Sequence, residues 1–467
     1  MNRTSAHQFL LVLGGLSLAA ISTVAQKQTP PPGGPPKAFK VPAHESYTLP
    51  NGMQVTLIPY GNLPKVTVNL AERAGSLNEP KETSGVADIT GEFLKEGTTT
   101  LSAQALAEAA ARMGSTLSVA VGADESTLVT DVLAEFGPDA VKLVADVIQH
   151  PLFPASELPR LRSNLLRQVA VAKAQPAQIA LERFRKLMYG DHPYGEILPA
   201  EDSLKKMTLE DAKAFYAANY GAARAHLYIA GKFDMAAVKK AIADNFSAWP
   251  KGPDVLKNVP KPTMQRVMDL TDRPGAPQST IYLGLPVPDP TSVDNIPLTV
   301  TNSLLGGSFG SRITSNIREN KGYTYSPRSQ ISQRYHDAYW AEIADVTTSV
   351  TGPSLREIFS EITRLQKEAP SAAELQGIQS YLSGLFVIQN STRQALINQL
   401  HFVDLQGLAE DYLTTYVQKV NAVTPAEVQR ITAQYIKPEQ MTIVVVGDKA
   451  KIADQLAPFS APGEAKK

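Results

Sequence analysis

The apolar and polar positions of this chain follow one pattern twice. Thr208 precedes a helical spacing of apolar residues, and a short apolar run then ends at Gly231. Thr424 opens the same pattern later in the chain, and Gly447 again follows its threonine by 23 positions. Each threonine has an acidic residue within three positions, as at a capped helix start, and each apolar run is typical of a buried strand.

A second helical pattern follows each run, near Met235–Phe246 and near Lys449–Leu456. Two units of this length do not make a solenoid, which needs at least three short repeats. We therefore predict two homologous domains over residues 44–250 and 264–460, joined by a Pro- and Gly-rich linker at 251–263.

Turn signals place hairpins among these helical patterns. Asn51-Gly52 lies between alternating apolar residues, and Gly122 starts a turn between two further strand patterns. Helical patterns such as Ser102–Met113 fill the gaps between the strand patterns, and the two kinds of pattern occur in clusters rather than in strict alternation. The expected fold class is α+β, with a mainly antiparallel sheet faced by helices in each domain.

The N-terminus differs from the rest. A basic residue, an apolar run at Phe9–Ala20 and small residues at 23–25 predict a signal peptide over residues 1–25. The alternative is a retained membrane anchor, although the run is shorter than the roughly 20 residues that span a bilayer. A Pro-rich linker follows at 26–43, and the expected location is periplasmic or secreted.

Composition narrows the class of protein. Hydrophobic residues make up 43% of the 467 residues, charged residues make up 19%, and the net charge is zero. This composition is typical of a globular protein, and a net charge of zero does not indicate nucleic-acid binding. The absence of cysteine excludes disulfides and a lipid-modified cysteine. We predict no membrane span after signal cleavage.

The segment Gly85-Val-Ala-Asp-Ile-Thr-Gly-Glu-Phe-Leu-Lys-Glu-Gly97 has helical spacing. It resembles the zinc helix of the pitrilysin/insulinase metallopeptidases, Gly-x-Ala-His-x-x-Glu-His-x-x-x-x-Gly-Thr. The resemblance implies that the zinc-binding histidines fall on Asp88 and Glu92 and that the general base falls on Gly91. Imidazoles at i and i+4 share a helix face and can bind one zinc ion, whereas glycine has no side chain to act as a base.

The family's third zinc ligand is a glutamate on a later helix, but no acid occurs between Pro159 and Leu181. No two of the seven histidines lie within four residues of each other. We therefore expect no metal in this chain and interpret Asp88 and Glu92 as a solvated helix edge. His192-Pro-Tyr-Gly195 matches a short family motif and is interpreted as a structural turn.

The segment Leu304-Leu-Gly-Gly-Ser-Phe-Gly-Ser-Arg-Ile-Thr-Ser-Asn-Ile-Arg-Glu-Asn-Lys-Gly-Tyr-Thr-Tyr-Ser326 resembles another block of the same family. The resemblance implies that the family's substrate-binding Arg and Tyr fall on Arg318 and Tyr325. A tyrosine hydroxyl can stabilise the oxyanion of peptide hydrolysis, and an arginine can hold a neighbouring carbonyl. Tyr323 lies two residues before Tyr325, and we expect both on one strand face lining the site.

The resemblance covers about residues 45–460 and implies the subunit without zinc of a heterodimeric zinc metalloendopeptidase. Arg318 and Tyr325 would then act as catalytic and substrate-binding residues in trans, with Tyr323 also contacting peptide substrates. Zinc is expected in a pitrilysin-like partner subunit. The alternatives are a structural pseudo-peptidase and a protein that binds peptides without cutting them.

Overall fold

Two β-sheets, each faced by helices, form the core of the protein, for which the computed structural model describes residues 39–460. The predicted signal peptide lies outside the described residues, as does most of the predicted linker 26–43. The end of that linker is part of the folded body, since Phe39 packs edge-on against Phe386 with ring centroids 5.0 Å apart. In the described part of the chain, no helix combines the length and apolar character needed to cross a membrane.

Within the described residues, the first half contains a six-stranded sheet and eight α-helices. The strands are β1 Glu45–Thr48, β2 Gln54–Pro59, β3 Lys65–Glu72, β4 Ser118–Val121, β5 Ser126–Leu133 and β6 Ala225–Gly231. The helices are α1 Val86–Phe93, α2 Ala103–Arg112, α3 Gly137–Gln149, α4 Leu158–Lys173, α5 Pro176–Tyr189, α6 Glu201–Lys206, α7 Leu209–Asn219 and α8 Met235–Phe246.

The second half, as far as Ser460, contains a five-stranded sheet and again eight α-helices. The strands are β7 Val267–Asp272, β8 Gln278–Val287, β9 Arg328–Arg334, β10 Asp337–Thr347 and β11 Thr442–Gly447. The helices are α9 Asn295–Asn302, α10 Arg312–Thr314, α11 Thr351–Lys367, α12 Ala372–Gln389, α13 Arg393–Gln406, α14 Tyr412–Ala422, α15 Pro425–Tyr435 and α16 Lys449–Leu456. Helices α9 and α10 continue as π-helical turns at Ser303–Gly307 and Ser315–Asn320.

The two sheets have the same strand order. The first runs β1-β2-β6-β3-β5-β4 and the second runs β7-β11-β8-β10-β9, so the second sheet repeats the first without its outermost strand β1. One neighbouring pair in each sheet is parallel, β2 with β6 and β7 with β11, and the other pairs are antiparallel. The predicted α+β class with mainly antiparallel sheets is confirmed.

The repeated sequence pattern forms equivalent structure. Thr208 and Thr424 begin α7 and α15, and each closes a capping box with the acidic residue three positions on, Asp211 or Glu427. These reciprocal bonds satisfy backbone donors that a helix start leaves free, and an N-cap of this kind typically contributes about 1 kcal/mol. The following strands β6 and β11 lie at equivalent places in their sheets. The irregular segment between α8 and β7 contains the predicted linker, whose limits stay a prediction.

One helix of each half packs on the sheet of the other half. Helix α5 of the first half packs on β8 and β11 of the second sheet, where the Phe184 ring lies 4.6 Å from that of Tyr282. Helix α13 of the second half packs on β6 and β3 of the first sheet and buries Ile397 with Tyr228. Each sheet is therefore covered on one face by its own helices and on the other by a helix of the other half.

Candidate functional site

The helix that resembles a zinc helix is held tightly at its start. Gly85 has a φ of +90°, which allows the chain to turn into α1, and the Glu79 carboxylate caps that end. Its oxygens accept hydrogen bonds from the backbone N–H groups of Gly85 at 2.9 Å and Ala87 at 2.8 Å. Burial raises the pKa of the Glu79 carboxyl to about 7. The helix start is thus held by the half-buried carboxylate of Glu79.

At Gly91, the position of the family's general base, there is neither a side chain nor space for one. A Cβ atom built on Gly91 would lie 2.5 Å from Cγ2 of Val121, the last residue of the edge strand β4. Valine is stiff about χ1, so the contact leaves no room for a side chain unless α1 and β4 separate. Within residues 39–460 no cluster of three or more His, Asp or Glu side chains has the arrangement to hold a metal ion. The residues present here do not fit zinc.

The two acids of this helix differ from each other. Glu92 is partly exposed and pairs with Lys95 at 2.7 Å, in agreement with the predicted solvated edge. Asp88 contradicts that prediction, because it lines a cavity and has no hydrogen bond or ion pair within the described chain. Burial, with a smaller contribution from the charge of Glu92, raises the pKa of the Asp88 carboxyl to about 6.

The glycine-rich segment of the second half lies over a buried carboxyl group. A Cβ atom on Gly306 would come within 2.6 Å of both the Glu342 carboxyl and the Ser329 hydroxyl. The backbone of the π-helical turn can therefore approach β9 and β10 only because this residue is glycine. Burial raises the pKa of the Glu342 carboxyl well above its ordinary value. The segment beyond the turn is thus positioned by the sheet beneath it.

Arg318 and Tyr325 lie together at the surface. The Arg318 guanidinium carbon is 5.0 Å from the centroid of the Tyr325 ring, and 79% of Tyr325 is exposed. Glu319 lies 3.2 Å from Nε of Arg318. No described residue accepts a hydrogen bond from the Nη groups, so these donors are available to a ligand. The two residues that the family resemblance selected are therefore neighbours, with their polar groups accessible.

A third residue completes this surface, and sequence reasoning did not find it. Phe309 is 70% exposed, and its ring centroid lies 4.4 Å from the Arg318 guanidinium carbon. Arg318 therefore stacks against two exposed aromatic rings, those of Phe309 and Tyr325. The signal in the sequence was a large apolar residue, Phe309, placed between a serine and a glycine. Its spacing from Arg318 does not by itself predict a contact.

The expected strand geometry around Tyr323 is wrong. Tyr325 lies in a bend and β9 begins only at Arg328, so the two tyrosines do not share a strand face. Gly322, with a φ of +65°, ends the preceding helix. The N–H of Tyr323 then donates to the Ile317 carbonyl at 2.8 Å. Tyr323 is half-buried beside this turn, and its role in substrate binding stays a prediction.

The predicted structural turn at His192–Gly195 holds the chain after α5. Nδ1 of His192 accepts a hydrogen bond from the N–H of Tyr194 at 3.2 Å. Nε2 of His192 lies 3.2 Å from the Asn258 carbonyl oxygen. The buried Tyr194 hydroxyl donates to Asp124, so the turn fastens the first half from within.

Comparison with protein families gives matches in both halves. A family described as "Insulinase (Peptidase family M16)" matches residues 56–201. A family described as "Peptidase M16 inactive domain" matches residues 206–382. Together the two matches cover more than two thirds of the chain.

Individual proteins show the same likeness at low identity. A Bacillus subtilis protein named "Uncharacterized zinc protease YmxG" is 24% identical, over 79% of this chain and 95% of its own length. A Helicobacter pylori protein named "Non-peptidase homolog YmxG" is 21% identical, over 83% of this chain and 90% of its own.

Solved structures share the fold. A protease from Helicobacter pylori superposes with a TM-score of 0.82 at 21% identity, covering 87% of this chain and 100% of its own. A peptidase M16 inactive domain from Pseudomonas fluorescens superposes with a TM-score of 0.80 at 23% identity, covering 86% of this chain and 98% of its own.

Proposed function

The chain belongs to the M16 (insulinase/pitrilysin) peptidase family, and we propose that it is the subunit without zinc of a heterodimeric metalloendopeptidase. Its partner would be a second M16 chain that carries zinc. The substrates would be peptides small enough to be enclosed between the two subunits. The predicted signal peptide leads us to propose a periplasmic or secreted location for the assembly.

This proposal rests on a difference between the first and the second half of the chain. The first half has lost the groups that hold and use zinc, and Val121 occupies the space that a base at position 91 would need. The second half keeps Arg318 and Tyr325 adjacent and accessible on its surface. A chain that has only the carbonyl-binding part of a hydrolytic site needs the other part from elsewhere. A subunit that contributes its residues to a partner's metal site meets this condition.

The chemistry of the pair follows from its donors. Zinc in the partner would polarise water for attack on the scissile carbonyl. The Tyr325 hydroxyl would donate a hydrogen bond to the oxygen as negative charge develops on it, an interaction that strengthens toward the transition state. The free Nη groups of Arg318 would hold a neighbouring backbone carbonyl and keep the peptide in register.

The decisive variant is Tyr325→Phe in the complex with the zinc-bearing partner. Loss of one preorganised oxyanion donor should lower kcat by about 10²–10³-fold, while zinc content and assembly stay unchanged. Arg318→Ala should impair both KM and kcat, since the side chain would contact the substrate in the ground state as well. Steady-state cleavage of a quenched-fluorescence peptide measures both variants, and size-exclusion chromatography checks assembly. Tyr323→Phe is the matched control and should have a smaller effect.

Two results would contradict the proposal. One is a parental cleavage rate in both the Tyr325→Phe and the Arg318→Ala complexes. The other is one tightly bound zinc per molecule of the purified chain alone.

A structural pseudo-peptidase is the second candidate. The closed zinc position and the name of the Helicobacter pylori relative favour it. For this candidate, loss of Tyr325 or Arg318 would leave the activity of any complex unchanged, whereas removal of the whole chain would disrupt the assembly.

A further inference from the structure

Histidines cluster where α13 of the second half lies on β6 of the first sheet, a contact that we call the joint. Three of the six histidines within residues 39–460 line one cavity of about 420 Å³ there. His226 is on β6, His401 is on α13, and His336 is at the tip of the hairpin between β9 and β10. Neither Arg318 nor Tyr325 lines this cavity. Because histidine ordinarily changes its charge between about pH 5 and 8, the joint is a candidate pH-sensitive element.

Two of these imidazole rings meet at one hydroxyl group. Nδ1 of His226 lies 2.8 Å from the Tyr228 hydroxyl oxygen, and Nδ1 of His401 lies 3.3 Å from the same atom. That hydroxyl donates its only proton to Asp404 at 2.6 Å. The oxygen can therefore only accept from the two rings, and each ring presents an N–H group to it. The two histidines, one from each half, thus face each other across a single oxygen atom.

The second nitrogen of each ring has a different environment. Nε2 of His401 lies 2.6 Å from the Glu125 carboxylate, so a positive charge on this ring has an anion beside it. Nε2 of His226 lies 2.9 Å from the Thr56 hydroxyl, which is neutral. A second proton on His226 would therefore create a positive charge with no anion within hydrogen-bond distance, next to the ring of His401.

The other charged groups at the joint do not supply that anion. The nearest oxygen of Asp404 is 3.7 Å from Nδ1 of His226 and already accepts the hydrogen bond from Tyr228. Burial raises the pKa of the Asp404 carboxyl, so this acid is neutralised earlier than an exposed aspartate when the pH falls. The remaining titratable side chains at the cavity and its mouth are basic or phenolic: His44, Arg73, Arg224, Lys257, Tyr335 and His336.

His226 is held neutral while α13 covers it. Its ring stacks on that of Tyr228 with centroids 3.9 Å apart, and its side chain is 15% exposed. Burial, with a smaller contribution from the charge of His401, lowers the pKa of His226 to about 3. The ring is thus neutral at pH 5.0 in the closed joint, whereas an exposed histidine is mostly protonated at that pH.

We propose that the contact between α13 and the first sheet is an acid-sensitive joint, which protonation of His226 loosens. A group with a lower pKa in the closed state than in the open state contributes stability that is complete above about pH 6.5. That contribution is lost progressively as the pH falls toward about 3. The joint is therefore tight at neutral pH and weakens in acid.

The two ends of α13 should respond differently. Near its start, Arg393 pairs with Asp131 at 2.8 Å, and this contact contains no histidine. At its end, the Gln406 side chain accepts a hydrogen bond from the backbone N–H of His336 at 3.2 Å and donates to the Arg334 carbonyl at 2.9 Å. Loosening at His226 should therefore free the end of α13 together with the tip of the β9–β10 hairpin, while the start stays attached.

Hydrogen–deuterium exchange of the intact chain at pH 7.5 and pH 5.0 tests this joint, with labelling times scaled to the intrinsic exchange rate. The peptide covering residues 399–407 should exchange about tenfold faster at pH 5.0. The upper limit is about thirtyfold, which is the preference of a proton at pH 5.0 for an exposed histidine over one with a pKa of about 3. Helix α11, which packs on helices of the second half, is the internal reference and should not change.

Two variants assign the effect to one ring. His226→Gln cannot titrate, so its exchange at residues 399–407 should differ less than about twofold between the two pH values. His336→Asn is the matched control, because it changes a histidine of the same cavity at a φ of +48°, which asparagine tolerates, and it should respond like the parent chain. Circular dichroism at pH 7.5 checks that both variants fold. Histidine-selective NMR of the parent chain should show a neutral His226 ring at pH 5.0.

Four results would overturn the proposal. In the parent chain, these are unchanged exchange at residues 399–407 in acid, equal acceleration in α11, and a protonated His226 ring at pH 5.0. The fourth is a parental acid response in a folded His226→Gln.

Discussion

The segment between β3 and β4 and the segment between β8 and β9 occupy equivalent places in two sheets of the same strand order. In the first half, α1 lies against the edge strand, and Gly91 has no space for a side chain. In the second half, the chain passes through a glycine-rich turn and presents Phe309, Arg318 and Tyr325 at the surface. The shared scaffold thus does not set the chemistry, which depends on what packs over these connecting segments.

Restoring an acidic side chain at Gly91 should destabilise the fold rather than restore activity. This is the largest effect that we expect. Gly91→Glu should destabilise the fold by about 3 kcal/mol or more, because it both overpacks the contact with Val121 and inserts an acid. Addition of Asp88→His and Glu92→His should still leave an inactive chain, since a third zinc ligand is missing. Urea denaturation and peptide cleavage by the chain alone measure these outcomes.

Gly377→Ala is the matched control. Gly377 lies inside α12 with open space around it, so alanine there should stabilise the helix by roughly 0.5–1 kcal/mol. Gly91→Ala should instead be destabilising, and Val121→Ala should relieve part of that cost. Equal effects of alanine at the two glycines would show that the first half is not closed.

Substitution of Asp88 should have an intermediate effect on the stability of the fold, and this effect should depend on pH. Its pKa rises from 3.8 in the unfolded chain to about 6 in the fold, so the folded state binds the proton more tightly. Ionisation of Asp88 therefore removes stability as pH rises from about 4 to about 6. Asp88→Asn should change stability little at pH 4 and should raise it by about 1–2 kcal/mol at pH 7.5, after allowance for partial exposure.

Denaturant unfolding at the two pH values measures the difference. Glu92→Gln is the control, since an exposed pair with Lys95 contributes under about 1 kcal/mol at either pH. A constant effect of Asp88→Asn from pH 4 to 7.5 would contradict the buried environment that we describe for Asp88.

Substitution of Phe309 should have the smallest effect on peptide cleavage. It tests how the exposed surface of the second half contacts the substrate. Phe309→Ala removes one of the two rings stacked on Arg318, an exposed cation–π contact worth about 0.5–1 kcal/mol. In the complex with a zinc-bearing partner, KM should rise roughly two- to fivefold with little change in kcat, and Phe309→Tyr should be neutral. A large fall in kcat for Phe309→Ala would instead place Phe309 in the reacting geometry.

Much of the fold was accessible from local pattern. The predicted ranges of α8 and α16 agree with the structure, and both threonine caps form where the acidic residues indicated. Caps, turns and strand periodicity are interactions within a few residues, so a single sequence contains them. The signal peptide, the domain limits and the partner have no such local test and stay predictions.

The sequence by itself determined the duplicated α+β architecture, the loss of the zinc ligands and the family to which the Arg318 and Tyr325 motif belongs. Only the tertiary structure decided that Val121 closes the space at Gly91, that Phe309 stacks on Arg318, and that Arg185 and Arg334 both line one cavity. These facts join residues that are 9 to 149 positions apart in the chain. Such contacts depend on how helices and sheets pack, a cooperative result that no local periodicity contains.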